Sequence, residues 1–490
     1  MFESKVSTAR PALKKAIGGF GFFTLAFGSM IGVGWITTLG DWFASAGPGG
    51  AMAAFAVGGV LMLVIGLCYA EVTPMLPVSG GEVAYAYKAY GTPHAFLIGW
   101  FLAFGYLSVS AFEAISIGLV LSYLLPGINQ YEMYQVAGHA VYAPHLALAL
   151  VFTGIITGIN YFGVAIASVV QTTLTALFLV CVLVFVVAGI AVGDVDNLAP
   201  MFGGVDQGAN QSANQGGSMA GMLKVFVMVP FFFVGFDIIP QAAEERREGA
   251  SLRRLGLYVV LAIVGSTVFY IAVILAAGMV TPWQGIVGER LPTAAAFRAA
   301  FESDLLVDVV LIAGLIGLLT SWNGFFLASS RVLFALGRGR ILHAWFGETH
   351  PRYGTPARAV LFCGVITFAA AWLGRGALIA FVDVGSFCIA LAFLGVALSL
   401  IRLRAVFPDL ERPYRMPGGK VLAYVAATGS VFILGVMLVP GSPGALIWPL
   451  EWLILLSLIV TGVCFWFGAR RYRQRVNEDD RAELILEDYR

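Results

Sequence analysis

Four groups of residues in this chain could do chemistry where water is scarce. The stretch Gly28-Ser29-Met30-Ile31-Gly32-Val33-Gly34-Trp35 puts three glycines into seven residues of an apolar run. The segment from Val229 to Pro240 holds Pro230 and Pro240, with Phe231, Phe232, Phe233, Val234, Gly235, Phe236 and Asp237 between them. Glu113 stands alone in Ser108-Val109-Ser110-Ala111-Phe112-Glu113-Ala114, and Thr320, Ser321 and Asn323 bring oxygens to a further apolar run. The chemistry these types permit is recognition. Gly costs ~1 kcal/mol relative to Ala inside a helix and Pro removes a donor, so both stretches favour local unwinding, which frees N–H and C=O groups to hold a polar solute. A carboxyl at the depth of Glu113 is costly to charge; that suits it to carry a proton or to meet a cation, unless it only bonds to a neighbouring helix. Thr320, Ser321 and Asn323 could complete a sodium site, because hard cations take oxygen ligands.

Bond-making chemistry has no comparable support. The cysteines Cys68, Cys181, Cys363, Cys388 and Cys464 are scattered singly, and His94, His139, His145, His343 and His350 never pair at metal-ligand spacing. Neither a nucleophile elbow, nor paired catalytic carboxylates, nor a phosphate-binding Gly-x-x-x-x-Gly-Lys-Ser/Thr loop is present. No enzyme, cofactor or direct ATP drive is expected, and no nucleic-acid partner.

The elements that must position these groups follow from composition. With 59% hydrophobic and 12% charged residues in 490, the chain is far from soluble usage and reads as an all-α integral membrane protein. Apolar runs of the ~20 residues needed to cross a bilayer recur about twelve times. The expected divisions are an N-terminal segment 1–18, helices one to five over 19–193, an outer loop 194–221, helices six to ten over 222–404, a loop 405–420, helices eleven and twelve over 421–470, and a short solvated tail 471–490. If the chain starts inside and crosses twelve times, only Lys224, Arg290, Arg298 and Arg375 fall outside, and the other 25 of its 29 Lys and Arg fall inside. That is the asymmetry of the positive-inside rule. Both termini are therefore expected on the cytoplasmic side of the cytoplasmic membrane, with the first helix directing insertion.

Gly28 and Gly32 alone admit two readings, a close-packing face with spacing four or a broken helix. The segment around Gly235 favours the second, because it is also interrupted and lies in the sixth helix, five after the first. Interruptions at corresponding places in two halves of a transporter mark a binding site near the membrane midplane. Asp237 is placed to cap a new half-helix starting near Ile238.

At these residues the sequence resembles the amino acid–polyamine–organocation permeases. The likeness runs over roughly residues 17 to 440: Gly28-Ser29-Met30-Ile31-Gly32-Val33-Gly34; Tyr69-Ala70-Glu71; Pro77-Val78-Ser79-Gly80-Gly81-Glu82; Gly235-Phe236-Asp237 with Ala243-Glu244-Glu245; Ser329-Ser330-Arg331; Gly354-Thr355-Pro356; and Arg412-Pro413-Tyr414-Arg415-Met416-Pro417-Gly418. The resemblance implies the leucine-transporter fold, with helices one to five and six to ten as inverted repeats and helices one and six broken. It also implies a monomeric or homodimeric secondary transporter working by alternating access, by proton symport or exchange. Carried over by motif position, the substrate carboxylate would sit on the backbone from Ser29 and Met30 to Gly34, and Phe232 to Phe236 would line the amine and side-chain pocket. Two departures stand out. Val33 replaces the commoner Ser or Thr, and Trp35 replaces Ile, Val or Phe; the indole would narrow or gate the pocket, or simply pack against a neighbouring helix.

The remaining charges are assigned by depth. Asp41 and Asp383 are expected near the outer face, and Glu71, Glu244 and Glu245 at the inner interface, paired with basic loop residues. Asp237 and Glu113 are the candidates for ion coupling. A proton is expected to drive the cycle, with sodium as the alternative; residues 166–193 hold no Lys, a residue that some proton-coupled relatives place there. Phe231, Phe232, Phe233 and Phe236 form an aromatic wall that suits an apolar side chain or an amine, or else face lipid. With no Lys or Arg in either interrupted stretch, a neutral amino acid leads, an amine or polyamine follows, and a channel has no pore motif to support it.

Overall fold

The structure, a computed structural model, describes residues 10–203, 215–301, 304–487 and 489. The Gly/Asn/Gln-rich part of the outer loop expected over 194–221, residues 204–214, thus lies outside the described residues. In chain order the helices are α1 (Gly19–Met30), α2 (Gly34–Thr37), α3 (Leu39–Met75), α4 (Gly81–Tyr90), α5 (Thr92–Leu124), α6 (Ala143–Phe162), α7 (Val164–Val192), α8 (Gln215–Phe233), α9 (Ile238–Ala242), α10 (Leu252–Val280), α11 (Pro292–Phe301), α12 (Asp304–Arg338), α13 (Ala357–Ala371), α14 (Leu378–Val406), α15 (Gly419–Leu438), α16 (Leu450–Gly468), α17 (Arg470–Arg473) and α18 (Glu478–Leu486).

Among the described residues eleven spans are long and apolar enough to cross a membrane, against about twelve expected. One of the twelve apolar runs, residues 356–374, is helical only from Ala357 to Ala371, because Pro356 precedes its first turn and Gly374, at φ 59°, ends the turn that follows it. α3 carries a non-helical Gly47 (φ 70°, ψ 169°), so residues 39–46 continue the first crossing and 48–75 make the second. The all-helical expectation fails at one place. β1 (Glu132–Val136) and β2 (His139–Tyr142) form an antiparallel hairpin between α5 and α6. Its two-residue turn, Ala137 and Gly138, has φ of 47° and 79°, the pair of positive values that matches the twist of the flanking strands.

The first and last described stretches meet on one face, hereafter the terminal face. Arg10 pairs with Glu244 at 2.9 Å and with Glu487 at 2.8 Å, and its Nε donates to the carbonyl of Leu484. The tail is not the solvated end that its charge density predicts. Asn477 caps α18 by accepting from the Asp480 N–H, and Arg481, Leu484, Ile485 and Leu486 are buried against the protein. The apolar triplet Leu484-Ile485-Leu486 inside the charged run is the signal that accounts for this.

The three acids expected to pair with basic loop residues do form ion pairs at the terminal face, but of their partners Arg331, Arg338 and Arg404 belong to α12 and α14, and Arg10 and Arg412 come from loops. Glu71 binds Arg404 and Arg412, Glu244 binds Arg338 and Arg10, and Glu245 binds Arg331 at 2.7 Å with both partners 1% exposed. On the far face, Asp41 lies within electrostatic reach of Lys224 and Arg375, and Arg375 within reach of Arg290.

Candidate functional site

The first helix stops at Met30, passes Ile31 at φ −116° and ψ 86°, and resumes as α2 at Gly34. The sixth crossing stops at Phe233 and resumes at Ile238. Between them Gly235 adopts φ 132°, a value that L side chains avoid. Both interruptions fall where the glycines and prolines place them. Asp237 stands at the N-cap of α9, but its carboxylate accepts from the N–H of Gly235 at 2.7 Å and not from the first turn of the helix ahead. The acid therefore pins the unwound loop, which is a different role from the forward cap expected of it.

The two interruptions touch. A Cβ on Gly235 would lie 2.7 Å from the Met30 nitrogen, and one on Gly34 would lie 2.5 Å from the Phe232 ring. Such approach is possible only without side chains. Gly28 does the other job its spacing allows: a Cβ there would meet Thr175 of α7 at 2.2 Å, so this glycine is a packing contact outside the break.

One residue ties both breaks together, and nothing in the sequence flagged it. The Tyr270 hydroxyl of α10 lies 3.0 Å from the Met30 carbonyl and 3.0 Å from the Phe232 carbonyl, its single hydrogen shared between the two. Tyr270 sits in an uninterrupted helix with no glycine, proline or charge beside it, so no local signal marks it. Tyr270→Phe is expected to leave two buried carbonyls without a donor, an effect of ~1–3 kcal/mol. The check is a lowered melting temperature of the purified chain. An unchanged melting temperature would mean that the breaks hold each other without it.

Glu113 reaches the first break directly. Its carboxyl lies beside the Ser321 hydroxyl and the Val33 N–H, its Oε2 is unpartnered, and a Cβ on Gly32 would lie 1.9 Å from its Oε1. Of the three oxygen donors on α12, only Ser321 shares this point. Thr320 donates back to Ile316 and Gly317 of its own helix, and Asn323 accepts from Asn160 and donates to Gln171. Ser29 is likewise turned to its own helix, donating to Leu25 at 2.5 Å.

The aromatic wall faces inward. Phe231, Phe232, Phe233 and Phe236 are all buried, so the lipid-facing alternative is excluded. Phe232 packs on Trp42, Phe55 and Tyr270, and Phe236 on Tyr69 and Phe393. Trp35 sets its ring edge-on against Phe185 and Phe269, while its carbonyl accepts from Thr293. Of the readings left open for it, packing is what is seen. Met30, Ile31, Val33 and Val234 are buried with them, while Gly32 in the middle of the first break is partly exposed.

Two half-helix C-termini converge on Tyr270, and backbone N–H groups of the first break face a carboxyl. Such an arrangement can present carbonyls to a cationic group and N–H groups to an anionic one. The family model described as Amino acid permease matches residues 17–464. The chain is 25% identical over 477 residues to the methylthioribose transporter of Bacillus subtilis (strain 168), covering 95% of this chain and 96% of that protein. It is 26% identical over 437 residues to the branched-chain amino acid permease BcaP of the same organism, covering 87% and 89%. A cationic amino acid transporter of Arabidopsis thaliana, number 7, chloroplastic, is 28% identical over 459 residues, covering 92% and 74%. Because the family match runs unbroken from the residues before α1 into α16, the chain belongs to the amino acid permease family of the amino acid–polyamine–organocation superfamily, whose members are transporters and not enzymes.

Proposed function

We propose that this permease is a secondary active transporter that moves a neutral amino acid across the cytoplasmic membrane by alternating access, by proton symport or exchange. The observation that carries the reading is the contact of the two interruptions, with Gly235 against Met30 and Tyr270 bridging Met30 and Phe232. The substrate ammonium would take the carbonyls that Tyr270 now serves, and the carboxylate would take the N–H groups from Gly32 to Gly34. Ser29 to Trp35 and Phe232 to Phe236 would form the site, with residues 19–193 and 222–404 as the inverted halves and 421–470 outside them. The terminal face is cytoplasmic on this reading, which the clustering of most basic residues there supports.

Glu113 supports proton coupling, because a carboxyl beside the first break gives the cycle a titratable group in contact with the substrate position. The same contact favours a second reading. With Glu113 already beside one N–H of the break, an amine lacking a carboxylate could also be held, and the negative charge would attract it.

The test is a thermal-shift screen of the purified chain against amino acids, amines and polyamines, since a ligand of the folded state raises its melting temperature. A shift with neutral amino acids, followed by their uptake into liposomes under an imposed proton gradient, is the expected result. A shift with amines alone would replace the first reading by the second, and sodium-dependent uptake would replace the proton.

A further inference from the structure

Helix α18 joins three parts of the terminal face that the transport reading requires to separate. The tail leaves α16 at a fixed root. Arg473 lies over the Trp466 ring, 3.5 Å from its centre, and Arg481 donates to the Arg473 and Val476 carbonyls at 2.6 and 3.2 Å, which sets the bend from α17 into α18. From there α18 reaches α4, where the Tyr87 hydroxyl donates to a Glu478 carboxylate oxygen at 3.0 Å and Lys88 Nζ donates to the Tyr489 carbonyl at 3.3 Å. Its apolar side meets the turn after α12: a Cβ on Gly339 would fall 2.6 Å from the Ile485 side chain. Arg10, in the stretch that leads into α1, donates to the Leu484 carbonyl and pairs with Glu487. A cation is thus held at the C-terminal end of the helix, where the dipole favours it.

The same Arg10 guanidinium holds Glu244 at 2.9 Å, and Glu244 accepts from the Ser79 N–H at 2.9 Å and pairs with Arg338. What lies beneath this clasp is sealed, with Ser79, Gln241 and Glu245 each 1% exposed or less. α4 is pressed onto α9, where a Cβ on Gly81 would fall 2.5 Å from Pro240 and Glu82 accepts from the Gln241 amide. The stretch before α1 is fastened as well: the Ala16 and Ile17 N–H groups donate to the Glu245 carbonyl, and Arg338 donates to the Pro11 carbonyl. Each of these ties joins two neighbours. α18 touches the stretch before α1, α4 and the turn after α12 at once, so none of the three can leave the others without breaking part of its docking.

We propose that α18 is a strap that holds the terminal face closed, and that detaching it shifts the protein toward the state open on that face. The strap reaches all three parts together only while they are assembled, so its contacts weight the closed state, and losing them moves the population the other way. The inference rests on the transporter reading, in which opening of this face is a step of alternating access.

The rate at which a charged maleimide labels a cysteine beneath the clasp tests it without any substrate. Ser79→Cys is the reporter. Ser122→Cys is the control, since Ser122 is 3% exposed and shares a cleft with Arg290 on the far face. Each rate is taken above that of the chain carrying only its own five cysteines. Leu484→Asp combined with Ile485→Asp puts carboxylates on the buried side of α18; it should speed labelling of Ser79→Cys by about tenfold or more and leave Ser122→Cys no faster. If that variant does not fold, Tyr87→Phe combined with Lys88→Met removes the α4 attachments without altering the tail, and a smaller rise at the same reporter is expected. An unchanged rate at Ser79→Cys in the tail variant, or in the α4 variant where the first does not fold, overturns the strap. An equal rise at both cysteines also overturns it, because α18 would then only stabilise the fold as a whole. No transport is measured, so either result leaves the transporter reading standing; that reading falls only if the chain carries none of the panel substrates.

Discussion

Glu113→Gln in reconstituted liposomes is expected to reduce uptake driven by a proton gradient to the level of protein-free vesicles, while exchange of labelled for unlabelled substrate continues. The argument is geometric. The Glu113 carboxyl touches the first break at Val33 and the α12 hydroxyl of Ser321, so its protonation state is read by both at once. A Gln side chain is nearly isosteric and its carbonyl oxygen can still accept from the Val33 N–H, so the break keeps its shape. What the amide cannot do is give up a proton during the cycle. Exchange requires binding and reorientation but no net proton movement, so it should survive. Accumulation that persists in Glu113→Gln would remove Glu113 from coupling. Loss of both accumulation and exchange, with an unchanged melting temperature, would instead give the carboxyl a part in holding substrate, as the amine reading requires.

The breaks were legible in the sequence because helix-disfavouring residues act locally. Gly32, Gly34, Pro230 and Gly235 lower the cost of unwinding wherever the helix goes, so no partner need be known. The ion pairs of Glu71, Glu244 and Glu245 were legible for a similar reason, since a charge near a membrane interface must find an opposite one. Tyr270 was not legible, because its importance comes from what lies across from it in space. The same holds for Asp237: sequence places it ahead of α9, where capping forward is the usual outcome, but the turn at Gly235 brings a closer N–H within 2.7 Å behind it. Glu82 was visible only as part of a motif. Its burial depends on α4 folding back onto α9, which no periodicity in a ten-residue helix announces. The docking of α18 was missed because its charged residues outnumber the three apolar ones that bury.

Gly235→Ala and Gly34→Ala are expected to weaken substrate binding by about tenfold or more each, since overpacking a close contact costs ~1–3 kcal/mol and 1.4 kcal/mol is a factor of ten. They should differ in how they can be repaired. At Gly34 the obstacle is the edge of the Phe232 ring, 2.5 Å from the added carbon. A smaller side chain removes that obstacle, so Phe232→Leu in the Gly34→Ala background should recover part of the lost affinity, while Phe232→Leu alone lowers it. The two changes would then be non-additive in a double-mutant cycle, the sign of direct contact. At Gly235 the obstacle is the backbone nitrogen of Met30, and the residue also holds φ 132°. No side-chain change can withdraw a main-chain atom, and a Cβ at that φ is strained whatever surrounds it. Phe232→Leu should therefore give no recovery with Gly235→Ala. The measurement is the ligand-induced shift in melting temperature across the five variants, three single and two double. Equal recovery in both backgrounds would mean that Phe232 acts through general loosening of the site. If Gly235→Ala binds like the parent, the closeness of the two breaks is not what forms the binding site, and the reading of the junction fails with it.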